Sequence, residues 1–214
     1  MKKEEYKAEQ TLGEEIANSI SHGLGVVGGI AALPFLIINA IPYGTSAIVG
    51  AAVFGASIVI MYLSSTLYHA FPVGRVKRLF QIFDHSAIYV LIAGTYTPFA
   101  LGILQGFWGW VLLVVMWTLA VAGIVFKSLA GTRKNILSTI LYVAMGWMAV
   151  FMIKPLMANM EREGLYWLLA GGISYTVGVI FYLMKKLPYA HFIWHLFVLG
   201  GTVCHVVTVM RFAN

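Results

Sequence analysis

Residues 190–210, AHFIWHLFVLGGTVCHVVTVM, form a run without a single Asp, Glu, Lys or Arg. A helix rises about 1.5 Å per residue, so a run of this length crosses the roughly 30 Å hydrocarbon core of a bilayer. Within it His191 and His195 stand four apart, a spacing that stacks both imidazoles on one helix face. Imidazole is the commonest protein ligand for a transition metal. The stretch therefore predicts a membrane-spanning helix that carries part of a metal site.

The rest of the chain has the same character. Of its 214 residues 60% are hydrophobic and 10% charged, with a mean hydropathy of +0.86, whereas charged residues alone make up about 25% of a soluble domain. Apolar runs long enough to span fall at about 19–41, 46–70, 82–104, 108–126, 136–157, 165–184 and 190–210. The expected fold class is all-α: a polytopic seven-transmembrane helix bundle over residues 19–212, after a cytoplasmic tail (1–18) with a short juxtamembrane helix. Thr11 with Glu14 has the form of a capping box that would start this helix, or is a chance match in a polar tail.

Lysines and arginines set the orientation. With the N-terminus cytoplasmic, that side holds Lys2, Lys3, Lys7, Arg75, Lys77, Arg78, Lys127, Arg133, Lys134, Lys185 and Lys186. Lys154, Arg162 and Arg211 remain on the other. The count puts the N-terminus inside and the C-terminus outside.

The same dispersal explains the net charge of +6 without a basic domain to grip phosphates, so no nucleic-acid partner is expected. No glycine-rich nucleotide motif follows a strand, and Gly28–Gly29 and Gly171–Gly172 read as close helix contacts. Pro34, Pro98 and Pro155 fall where they could kink spans. Lys2 to Glu15 is too polar to open a cleavable signal peptide, and the lone Cys204 offers neither an internal disulfide nor a thiolate cluster.

Topology gives each histidine a depth. His22 opens the first span, His69 closes the second, Asp84 and His85 open the third, and His191 and His195 open the seventh. All lie at one level near the cytoplasmic face. Ionisable groups in spanning helices turn toward the bundle interior and one another, so convergence is expected. His205 is ten residues beyond His195, about 15 Å further along the helix, and is expected to be a hydrogen-bonded packing residue. Asp84 and His85 are adjacent and diverge by about 100°; Asp84 is preferred, because an unpaired carboxylate needs a partner more urgently. Ser65 stands one turn before His69, where its hydroxyl could enter the site or bond back to the Met61 carbonyl. Glu15, Asn18 and His22 share a face, as part of the site or as a solvated surface.

Taken together, Ser65-x3-His69, Asp84 and His191-x3-His195 resemble the progestin and adipoQ receptor family. Phe83-Asp84-His85-Ser86, leading into Ile92-Ala93-Gly94-Thr95-Tyr96-Thr97-Pro98, looks like its bacterial hemolysin III branch, and Glu15-x2-Asn18-x3-His22 matches the pattern that opens the family's first span. The resemblance covers nearly the whole chain. It implies seven spans with an inward N-terminus, in the bacterial plasma membrane, and a Zn2+ ion held near the cytoplasmic face by His69, His191 and His195. It further implies that Asp84 reaches the metal through water and that Ser65 lies in the same cavity.

The wider superfamily includes alkaline ceramidases, so the resemblance implies a zinc-dependent hydrolase acting on an acyl amide or ester of a membrane lipid. Three protein ligands leave tetrahedral zinc an open position, as catalytic sites require. Asp84 and Ser65 would then be the catalytic pair, with His22, Asn18 and Glu15 around the cavity. The alternatives are a receptor-like or membrane-fluidity regulator with structural zinc and, further off, a pore-forming cytolysin. Haem is disfavoured, because ligands four apart on one helix cannot occupy opposite axial positions.

Overall fold

The computed structural model describes residues 10–130 and 135–213, which form helices α1 (Leu12–Ala40), α2 (Thr45–Ala70), α3 (Arg75–Leu101), α4 (Phe107–Ala130), α5 (Asn135–Gly146), α6 (Ile153–Asn159), α7 (Arg162–Leu183) and α8 (Ala190–Phe212). No strand is present among the described residues. Residues 1–9 of the expected tail, with Lys2, Lys3 and Lys7, and the basic residues Arg133 and Lys134 lie outside them.

Helix α1 begins where the capping box places it. Thr11 Oγ1 accepts from the Glu14 amide at 3.3 Å while Glu14 Oε2 accepts from the Thr11 amide at 2.8 Å. The helix then runs unbroken into the apolar stretch. Phe71 precedes Pro72, and its extended backbone (ψ 140°) ends α2 just after His69. A 3-10 segment, Trp147–Met152, separates α5 from α6 directly upstream of Pro155, whose ring and missing N–H disfavour a continuous α-helix there. Pro34 and Pro98 lie inside continuous α1 and α3.

By length and composition six helical stretches among the described residues can cross a membrane, one of them Ile136–Asn159, which runs from α5 through the 3-10 segment into α6. Their outward faces are apolar, as Ile20, Leu24, Val27 and Ile30 on α1 illustrate. Helix α3 is absent from that set. It carries Arg75, Lys77, Arg78 and Asp84, yet is buried almost continuously from Asp84 to Ala100. Packed between α2 and α4, it presents little surface to lipid and has no need of an apolar exterior.

Sequence neighbours pack together in the pairs α1–α2, α2–α3, α3–α4 and α7–α8, and α8 returns to α1. Of the glycine pairs, Gly29 packs closely on Ile58 and Gly171 on His205, whereas Gly28 and Gly172 face open space. The α7–α8 turn places Tyr189 in the left-handed region (φ 56°), and its amide donates to Glu14 Oε1 at 2.8 Å.

Candidate metal centre

The end of α2 and the start of α8 meet in a cluster of imidazoles. Ring centroids of His69 and His191 are 5.1 Å apart, those of His69 and His195 5.1 Å, and those of His191 and His195 4.7 Å. One nitrogen from each lies within 4.8 Å of the other two, so this trio could hold a metal ion. His69 and His195 are buried, and His69 Nε2 is sealed from solvent with no hydrogen-bond partner. A buried orphan of this kind needs an explanation, and a cation between three neutral imidazoles is one.

Around them stands a polar shell supplied mainly by α1. His69 Nδ1 is 2.7 Å from Glu15 Oε2, and the other Glu15 oxygen is 3.0 Å from Lys77 Nζ. His195 Nδ1 is 3.1 Å from Ser21 Oγ. His22 lies flat on His195, with centroids 3.4 Å apart and rings 6° from parallel. Asn18 is buried and donates to Gln10 Oε1 at 2.6 Å. All three residues of the Glu15, Asn18, His22 face thus turn inward.

Asp84, His85, Ser65, His22, His191 and His195 line one cavity of about 350 Å³. Ser65 and Asp84, on the facing helices α2 and α3, share one wall of that cavity. Despite their divergence on the helix, Asp84 and His85 both reach the cavity wall. Beyond this polar level the walls are almost wholly apolar and extend past His205 to Leu165, near the opposite end of α8. His205 stands apart from the trio, with Nε2 3.3 Å from the Leu168 carbonyl, as a packing residue should.

Sequence reading passed over Ser21 and Lys77. Ser21 belongs to the same α1 edge as Asn18 and His22, which was the available signal. From sequence Lys77 enters only the count of cytoplasmic-side charges, although its spacing to Gln81 and Asp84 puts all three on one face of α3.

The sequence profile of the Haemolysin-III related family matches residues 10–206. The chain belongs to this family. It is 51% identical over 201 residues to the Hemolysin-3 homolog of Bacillus subtilis (strain 168), covering 94% of each chain. With Hemolysin-3 of Bacillus cereus it shares 53% identity over 194 residues, 90% of this chain and 89% of the relative. A more distant relative is the Monocyte to macrophage differentiation factor of Homo sapiens, 25% identical over 170 residues, 75% of this chain and 68% of that one. The resemblance to the hemolysin III branch of the progestin and adipoQ receptor family is borne out, and with the apolar helices it makes this an integral membrane protein.

Proposed function

We propose that this haemolysin-III-related protein is a zinc-dependent intramembrane hydrolase that cleaves an acyl amide or ester of a membrane lipid and thereby influences membrane lipid homeostasis. The observation that supports this reading is the set of three convergent imidazoles beside a long apolar cavity whose wall also holds Asp84 and Ser65. Held by His69, His191 and His195 with a coordination position to spare, zinc would supply Lewis acidity at the scissile carbonyl.

The chain's own residues do the rest. Asp84 accepts a proton from the attacking water at its carboxylate and returns it to the leaving amine nitrogen or alcohol oxygen as the acyl C–N or C–O bond breaks, while the Ser65 hydroxyl donates to the carbonyl oxygen that gains charge in the transition state. The apolar walls hold the acyl chain and keep bulk water away from the polar level. In this reading the protein has seven spans in the bacterial plasma membrane, with the N-terminus and the metal site on the cytoplasmic side. The eleven-to-three distribution of basic residues supports the orientation. Helix α3 counts as the extra span, since 27 residues reach about 40 Å.

The test is elemental analysis of protein purified without a nickel column, followed by a screen of amide- and ester-linked lipids for fatty-acid release. Expected are stoichiometric zinc in wild type, its loss in a folded His191→Ala/His195→Ala variant, and turnover that vanishes in a zinc-retaining Asp84→Asn variant. Absence of metal from folded wild type, or zinc without turnover on any lipid, sinks the proposal. Full cellular function in Asp84→Asn would favour a fluidity regulator with structural zinc. The name of the Bacillus cereus relative points to lysis, and lysis by washed protein lacking its histidines would favour a cytolysin.

A further inference from the structure

Two of the three candidate ligands have one ring nitrogen already engaged. An ionised carboxylate only accepts hydrogen bonds, so at 2.7 Å from Glu15 Oε2 the proton of His69 sits on Nδ1 and the lone pair on the orphaned Nε2. A similar deduction holds at His195. With its one hydroxyl proton on the Asn18 carbonyl at 2.9 Å, Ser21 accepts from His195 Nδ1 at 3.1 Å. These contacts favour the Nδ1–H tautomer in both rings, which leaves Nε2 for a metal.

Neither acceptor is on a helix that supplies a ligand. Glu15 and Ser21 stand on α1, which packs against α2 on one side and α8 on the other. The Glu15 charge is balanced by Lys77, which also donates to the carbonyls of Tyr68 (2.9 Å) and Phe71 (3.2 Å) at the end of α2. The adjacent Glu14 holds the Tyr189 amide, two residues before His191, and His22 backs the His195 ring.

We infer that the first three turns of α1 are the positioning element of the metal centre. Glu15 and Ser21 fix the tautomer and orientation of one ligand on α2 and one on α8, and so set how tightly the site holds a divalent cation. The inference rests on reading the three histidines as metal ligands. Partners of this kind, bonded to the distal nitrogen of a metal-binding histidine, change affinity by about 10- to 100-fold when removed.

The experiment uses full-length Glu15→Gln and Ser21→Ala in detergent. Nitrogen NMR of labelled imidazoles in metal-free protein reads the tautomers, and competition with a chromogenic chelator reads the zinc dissociation constant. Expected are Nδ1–H signals for both rings in wild type, mixed tautomers for His195 in Ser21→Ala, and zinc held about 10- to 100-fold less tightly by each variant. Should Glu15→Gln fail to fold, Ser21→Ala carries the test, because it removes only a hydroxyl. Nε2–H rings in wild type, or wild-type affinity in the folded variants, overturns the role of α1 alone. Folded wild type that takes up no zinc overturns the metal reading as well.

Discussion

Lys77 brings an ammonium group to a position only 3% exposed, where Glu15, 15% exposed, is its charged partner. Removing one member of a buried pair costs more than the pair contributes, because the other charge is left uncompensated. Lys77→Met should therefore lower stability by on the order of 3 kcal/mol, read as an earlier thermal melt in detergent. An unchanged melt would mean that solvent, not Lys77, satisfies Glu15. At this scale the sequence announced the histidines and Asp84, because such residues stand out against an apolar background. It did not announce which way Glu15 faced, or that Ser21 and Lys77 take part. Serines and basic residues near span ends are ordinary, and only the rotational phase of a helix against its neighbours distinguishes Lys77 from Arg75 and Arg78.

Among elements, α2 approaches α3 backbone to backbone. A Cβ on Gly50 would meet Pro98 Cα at 2.7 Å and Pro98 N at 3.3 Å, atoms that cannot rotate aside. Gly50→Ala should force the helices apart and cost about 1–3 kcal/mol, visible as a lower melting temperature, and a neutral result would show that the pair slides freely. At the other end of the bundle, Thr11→Ala removes the cap of α1 and should cost about 1 kcal/mol, with faster amide exchange in the first turn. The cap was legible because two residue types at one spacing encode it. The six apolar stretches were legible from length and hydropathy alone. The apolar part of α3 was legible as the run 82–104, but its start at Arg75 was not, since a charged first turn carries no hydropathy signal, and the 3-10 interruption at Trp147–Met152 lies inside one apolar run with only Pro155 to mark it.

For the molecule as a whole, stripping metal should loosen the fold. A ligand that binds only the native state adds about 2.7 kcal/mol at a free concentration 100 times its dissociation constant. Chelation should accordingly lower the melting temperature of wild type and leave His191→Ala/His195→Ala unmoved; equal shifts in both would place the effect elsewhere. The closure of α8 on α1 was not readable from the chain, because no local pattern links Glu14 to Tyr189, 175 residues later. That closure bears on biosynthesis. A ribosome delivers Glu15, Ser21 and His69 long before His191 and His195, so until α8 emerges the membrane holds one of the three candidate ligands. If the trio holds a metal as proposed, loading must wait for α8 to insert and dock, which would make metal uptake a report that α1 and α8 have met.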